Sequence, residues 1–168
     1  ENGQAIIKTY NHEKWTFSLF EDSNGILWGG TWGAGLWKFD EKSENFTFYN
    51  NIQGNSTSIC DDIIWSLYED NFGNLWIGGH GGGFSILSAK EKYKVNPVFF
   101  SYKYKKSDFS GLSNNTIHSF CQDHKGNMWI GTSGGLNKVK SQTGNFKEIE
   151  KIRLDFTTYY KKDGLPGE

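Results

Sequence analysis

The sequence predicts an all-β fold, a β-propeller fragment of about three four-stranded antiparallel blades. A ten-residue motif occurs three times, and its Asp residues lie 48 and 53 residues apart. This period is in or just above the range of four-stranded propeller blades. Aromatic residues make up 17% of the chain, and 21 glycines stand against 2 prolines. Such a composition is typical of strands joined by tight turns.

The repeated motif places an Asp before a glycine turn and a Trp in the strand that follows. A carboxylate there can accept backbone N–H bonds as a turn cap while the glycine takes a positive φ. One large ring per blade suits packing between neighbouring blades. We therefore predict structural roles for the repeated residues. They are Asp22, Asp70 and Asp123, Gly25, Gly73 and Gly126, and Trp28, Trp76 and Trp129.

Each copy of the motif lies among strand-like segments in the same order. The first segment leads into the Asp-x-x-Gly turn, the second carries the Trp, and the third follows a glycine-rich turn. The fourth is aromatic, as in residues 46–49 and 99–102, and four such segments predict one blade. The predicted units are blades over residues 15–50, 62–104 and 116–160, the last strand of a preceding blade over 5–10, and a lead-in to the next blade over 161–168.

Three blades are too few to close a ring, because propellers usually have about 4–8 of them. Unpaired strand edges and bare blade faces are costly in water. We therefore expect this chain either to meet the remaining blades of a larger parent protein or to self-associate edge to edge, as in a homodimer.

Charge and hydropathy disfavour two classes of partner. Lys and Arg total 18 against 19 Asp and Glu, so we expect no nucleic-acid partner. No uncharged apolar run approaches the roughly 20 residues of a membrane span, so we expect no direct membrane insertion. The basic runs at 90–94 and 102–106 are compatible with a basic patch, but a charged strand edge explains them better. Cys60 and Cys121 are expected to be small buried hydrophobes.

Signals of catalysis or metal binding are weak. His118, Cys121 and His124 have the spacing of metal ligands, but residues three apart on a strand point to opposite faces. A calcium loop at the Asp motif is disfavoured, since the third copy has His124 and Lys125 where ligands are needed. Residues 80–83 resemble an esterase oxyanion loop, yet no Gly-x-Ser-x-Gly nucleophile accompanies them. We expect no catalytic residue, metal or cofactor.

The positions at which the copies differ are better candidates for ligand contact than the positions that recur. Two such positions lie at strand ends, where blade loops form a shared face. In the turn after the Trp strand they are Trp32, His80 and Ser133, and at the start of the first strand Phe17, Trp65 and His118. Aromatic rings beside polar groups on a concave face suit sugar rings. The candidate ligand-binding residues are Trp32, Trp65, His80 and His118, with ordinary loop and core variation as the alternative.

The repeat resembles that of the two-component regulator propeller family. The resemblance rests on Ile-x-Ser-Leu-x-Glu-Asp-x-x-Gly-x-Leu-Trp-Ile-Gly-Thr and a following Gly-Gly-Leu turn, matched at residues 64–79 and 117–132 and more loosely at 16–31. Gly29 stands where the family usually has Ile, and Gly79 where it usually has Thr. The resemblance implies a seven-bladed propeller in the periplasmic sensor region of a hybrid two-component histidine kinase from Bacteroides-type bacteria.

By that resemblance, we expect a non-catalytic sensing module that contributes to recognition of an oligosaccharide ligand and to dimerisation of a periplasmic receptor. One alternative is a protein-interaction scaffold with no small ligand. Another is an enzyme, because the repeat is also similar to that of streptogramin-lyase-type propellers, which use a metal, His and acidic groups near the central axis. His80 and His118 are the residues that could serve there, and no repeated acidic partner accompanies either.

Overall fold

The computed structural model describes residue 9 and residues 14–107, 111–141, 145–151 and 153–166, which form three four-stranded sheets with strands in sequence order. Blade 1 consists of β1 (Thr16–Glu21), β2 (Leu27–Thr31), β3 (Leu36–Asp40) and β4 (Asn45–Tyr49). Blade 2 consists of β5 (Ile64–Glu69), β6 (Leu75–Gly79), β7 (Phe84–Leu87) and β8 (Phe99–Tyr102). Blade 3 consists of β9 (Ile117–Gln122), β10 (Met128–Thr132), β11 (Gly135–Ser141) and β12 (Leu154–Tyr159).

The predicted all-β fold with three antiparallel blades is confirmed. Two single-turn 3₁₀ helices, Ile149–Lys151 and Lys161–Asp163, are the helical elements of the described residues. The strand predicted over 5–10 lies outside the described residues, apart from residue 9. The described part of the chain contains no helix long and apolar enough to cross a membrane.

The hydrophobic core consists of two layers, each between neighbouring blades. In the first layer, Trp28 and Leu36 of blade 1 pack against Ile64 and Leu75 of blade 2. The second layer lies between blades 2 and 3 and contains Trp76, Phe84, Ile117, Met128 and Ile130. Trp28 and Trp76 are fully buried, and burying such a ring contributes about 2–3 kcal/mol. Trp129 is half-buried, because no further sheet of the described residues covers its face.

The Asp of each repeat caps the turn and holds the Trp. In blade 1, Asp22 Oδ1 accepts the N–H groups of Asn24 and Ile26, each at 3.0 Å. Its Oδ2 accepts the indole N–H of Trp28 at 3.0 Å. Burial alone would raise the pKa of Asp22, but these bonds and the Lys92 ammonium lower it below its usual value. The carboxylate therefore links the turn to the core.

The same contacts recur in the other two blades. Asp70 accepts the Trp76 indole N–H, and Asp123 accepts that of Trp129, both at 2.9 Å. The Trp129 bond is the main reason why the pKa of Asp123 lies well below its usual value. The turn glycines have left-handed φ values, +75° at Gly25, +77° at Gly73 and +81° at Gly126, which favour glycine.

A buried lysine joins blades 1 and 2. Lys92, in the connection from β7 to β8, has a fully buried side chain whose Nζ lies 3.1 Å from Asp22 Oδ2 and 2.5 Å from Glu69 Oε1. Glu69 also accepts the N–H of Ser23 from blade 1 at 2.7 Å. The expectation that the run at 90–94 forms a solvated edge is therefore wrong at Lys92, since two buried carboxylates draw its ammonium inward.

The glycine at position 29 is explained by its cross-strand partner. Gly29 on β2 pairs with Trp37 on β3, and a Cβ added at Gly29 would lie 2.1 Å from the Trp37 ring. In blades 2 and 3 the same pair is Ile77 with Ser85 and Ile130 with Asn137. Blade 1 therefore carries the large side chain of this pair on its third strand, whereas blades 2 and 3 carry it on their second.

The two cysteines have different environments. Cys60 is buried, and burial raises the pKa of its thiol to about 11. Cys121 is exposed, so its predicted burial is wrong. Cys121 pairs with Trp129 on the neighbouring strand, just as Tyr68 pairs with Trp76 in blade 2. Because paired residues share a face of the sheet, Cys121 lies on the face of blade 3 that no described sheet covers.

Candidate functional site

One row of rings crosses the three blades at the end where each first strand begins. We call Phe17, Trp32, Trp65, His80 and His118 the aromatic stripe. Trp32 lies 5.3 Å from Phe17 and 6.3 Å from Trp65, measured between ring centroids. Trp65 lies 4.0 Å from His80 and 5.6 Å from His118. All four predicted ligand-binding residues thus belong to one continuous surface.

Backbone contacts between blades bring these side chains together. The turn after β2 of blade 1 reaches the segment before β5, with a bridge between Trp32 and Ile63. The turn after β6 reaches the segment before β9 in the same way, with a bridge between His80 and Thr116. Within blade 2, the His80 N–H donates to Ile63 O at 3.0 Å. Each turn therefore lies beside the first strand of the following blade.

A β-bulge occurs at the same place in every first strand. Thr16 pairs with Thr31 and Ser18 with Gly30, which leaves Phe17 as the extra residue. The same break in register leaves Trp65 unpaired on β5 and His118 unpaired on β9. A bulge bends the strand and redirects a side chain without ending the sheet. This feature aims the three divergent residues of the first strands at the stripe.

The stripe combines exposed rings with polar atoms. Trp32 is 43% exposed and Phe17 is 51% exposed. Trp65 is half-buried, and its indole nitrogen has no hydrogen-bond partner among the described residues. His118 Nε2 lies 2.9 Å from Ser133 Oγ. The surface can stack on a flat ring, and it offers imidazole and hydroxyl groups at its blade 3 end.

A polar cleft of about 480 Å³ adjoins the stripe at His80. Its other lining residues include Asn51, Asp61, Asp62 and Gly82. Asp62 Oδ1 accepts the Asn51 N–H at 2.7 Å, whereas its Oδ2 makes no hydrogen bond within the described part of the chain. This oxygen is an acceptor at the edge of the aromatic surface.

Asp61 explains the departure at position 79. In blade 1, Thr31 Oγ1 accepts the N–H of Ala34 in the turn at 2.9 Å. In blade 2 that threonine is replaced by Gly79, and Asp61 Oδ2 instead accepts the Gly82 N–H at 2.7 Å. A Cβ at Gly79 would lie 2.6 Å from Asp61 Cβ, so the glycine makes room for the carboxylate.

The sequence predicted the members of the stripe but not the adjoining cleft. Asp61 and Asp62 fall outside the repeated motif, and no spacing rule connects them with His80. The mismatch at Gly79 was the available signal, since a turn that lacks its threonine needs another acceptor. Within the described ranges, no cluster of three or more His, Cys, Asp or Glu side chains is able to hold a metal ion.

Comparison with known proteins identifies the repeat. The family model described as two component regulator propeller matches residues 9–33, 57–81 and 111–134. No curated protein sequence matches the chain.

Solved structures show the same architecture. The extracellular domain of BT3049 from B. thetaiotaomicron, described as a hybrid two component system, matches 92% of this chain with 25% identity and a TM-score of 0.72. The extracellular domain of BT4673 from the same organism, described as a one component system, matches 78% with 21% identity and a TM-score of 0.56. The chain covers 20% of the first structure and 16% of the second.

Proposed function

Since this chain belongs to the two component regulator propeller family, we propose that it is a non-catalytic sensing part of an extracytoplasmic propeller in a hybrid two-component sensor kinase. We propose further that the aromatic stripe contributes to glycan recognition and that the parent protein is periplasmic. The similarity to the extracellular domain of BT3049 over 92% of the chain supports the sensor role and the location.

The observation that carries the glycan proposal is the convergence of the divergent residues. Three blades supply rings from their bulges and turns to one surface, while their repeated residues lie in caps and cores. The C–H faces of sugars stack on tryptophan, and sugar hydroxyls need nearby polar partners. Trp32 supplies an accessible ring. Asp62 supplies a polar group in the adjoining cleft, and Ser133 supplies one at the blade 3 end of the stripe.

The arrangement favours binding over acid–base catalysis. His80 and His118 both pack against the Trp65 ring, and within the described ranges neither imidazole makes an ion pair or a hydrogen bond with a carboxylate. Asp61 uses both carboxylate oxygens to accept backbone N–H groups, from Ile63 at 3.0 Å and from Gly82 at 2.7 Å. A catalytic pair needs two groups converging on one reacting atom.

We propose that the outer faces of blades 1 and 3 are covered by other blades of the parent protein or by a second copy of the chain. On blade 1, Leu19 is 64% exposed and Phe48 is 45% exposed. On blade 3, Trp129 and Tyr159 stack at 5.8 Å on the uncovered face. Light scattering of the isolated chain tests self-association, and a monomer that unfolds cooperatively would contradict it.

The glycan proposal is tested by screening the chain against an oligosaccharide array and measuring the hits by calorimetry. Trp32→Ala should weaken binding about five- to tenfold, the effect of losing one stacking ring. Phe72→Ala is the matched control, because Phe72 is similarly exposed at 39% but lies in the Asp-x-x-Gly turn at the opposite end of the blade. No binding in the array, or equal affinities for the two variants, would contradict the role of the stripe.

A further inference from the structure

We infer that the ligand of the aromatic stripe is an uncharged oligosaccharide, and that the cleft beside His80 discriminates against uronate and sulfated sugars. This inference rests on the proposed function and specifies its ligand class. The stripe and the cleft share His80. A sugar stacked on the stripe beside His80 therefore lies next to the cleft that Asp61 and Asp62 line.

The acidic side chains that line the cleft are Asp61 and Asp62. No lysine or arginine is among the described residues that line the cleft or form the stripe. Lys103 is near enough to Cys60 to act on it electrostatically, but it does not line the cleft. Lys14 precedes Trp15 at the blade 1 end of the stripe.

The two carboxylates differ in what they can offer a ligand. Both oxygens of Asp61 accept backbone N–H groups, so its charge is held in place by the turn. Asp62 leaves Oδ2 without a hydrogen bond in the described chain, and this oxygen can accept a hydroxyl proton. Neutral sugars supply such donors. A carboxylate or sulfate on the sugar would instead meet like charge, and a like charge several ångströms away at intermediate dielectric weakens binding by about tenfold or more.

Matched pairs of sugars test the inference, because the members of each pair share one sugar backbone and differ in whether they carry anionic groups. The probes are tetragalacturonate with its fully methyl-esterified form, and a κ-carrageenan oligosaccharide with its desulfated form. For any pair that binds, the neutral member should bind about tenfold more tightly in calorimetry at low salt. Equal affinities, or tighter binding of the anionic member, overturn the inference and leave glycan recognition standing. Absence of binding for every pair and across the oligosaccharide array overturns the proposed function as well.

Asp62→Asn tests whether the cleft causes the discrimination. The asparagine keeps an oxygen to accept the Asn51 N–H, so the local turn is retained. The preference for the neutral member should shrink severalfold, because the variant removes the charge that repels the anionic member and also replaces the Oδ2 acceptor offered to the neutral member. Partial unfolding would weaken both members equally, so a change in the ratio of the two affinities reports on the Asp62 side chain itself. Asp155→Asn, at an exposed aspartate on β12, is the control, and an equal change in both variants would exclude a local effect of Asp62.

Discussion

Replacing Lys92 with methionine should strongly destabilise the chain, because Lys92 is the cation of a buried ion-pair cluster between two blades. Its side chain is fully buried between Asp22 of blade 1 and Glu69 of blade 2. Methionine matches the length of the stem but removes the ammonium, which leaves two carboxylates in the blade boundary without their cation. Breaking a buried ion pair in this way costs about 3–5 kcal/mol.

Urea denaturation followed by tryptophan fluorescence measures the loss. The midpoint should fall at an unchanged m-value, since the folded surface is the same. Lys151→Met is the control, because Lys151 pairs with Glu148 at the surface and such a pair contributes about 0–1 kcal/mol. If Lys92→Met lowers the free energy of unfolding by less than about 1 kcal/mol, the conclusion that Lys92, Asp22 and Glu69 hold the two blades together is refuted.

The boundary between blades 2 and 3 suggests a second substitution that offsets the loss of the Lys92 ammonium. Gln122 replaces Glu69 there, and its side-chain oxygen accepts the Asn71 N–H at 2.9 Å, as Glu69 accepts the Ser23 N–H in blade 1. Combining Lys92→Met with Glu69→Gln copies the glutamine of this boundary. The double variant should recover at least half of the free energy of unfolding lost in the single variant, because one uncompensated charge is removed.

Three further predictions concern stability and reactivity. The pKa of Asp22 is lower in the folded chain than its usual value, so Asp22 stabilises the fold fully above the unfolded pKa of about 3.9. This stabilisation is lost as the pH falls through the folded pKa. Asp22→Asn should therefore make the free energy of unfolding depend less on pH in the acid range. A thiol reagent at pH 8 should modify Cys121 in the native chain and Cys60 only after denaturation, because the raised pKa of Cys60 and its burial protect it. Gly29→Ile should destabilise the chain by about 1–3 kcal/mol or more, because the added side chain overlaps the Trp37 ring. Adding Trp37→Ser should restore most of the lost stability. If the two effects are simply additive, the two positions do not share one packing space.

Much of the fold could be predicted from the sequence because each repeat contains the local signals that define its turn and its core residue. The Asp cap, the left-handed glycine and the buried Trp are local features, and they fix the turn between the first two strands of every blade. The aromatic strand predicted over 99–102 coincides with β8 (Phe99–Tyr102). Comparing copies also identified the stripe, since positions free of cap and core contacts are free to differ.

Contacts between distant parts of the chain could not be predicted in the same way. The sequence places Lys92 in a basic run, and only the packing of blade 2 on blade 1 shows that it reaches Asp22. The β-bulges depend on the register of two strands, and sequence periodicity carries no information about an extra residue in one of them. Asp61 and Asp62 become relevant only because a turn in blade 2 lies beside them.

The two ends of each blade therefore have different constraints. At the Asp-x-x-Gly end, one carboxylate serves the turn, the indole and, at Asp22, the neighbouring blade, so a change there alters several contacts at once. At the bulge end, backbone bridges join the blades. Phe17, Trp65 and His118 are the bulge residues there, and they have no partner in the strand pairing. Substitutions at these three positions can change the recognition surface while the backbone bridges persist. This separation explains why the sequence repeats at one end and diverges at the other.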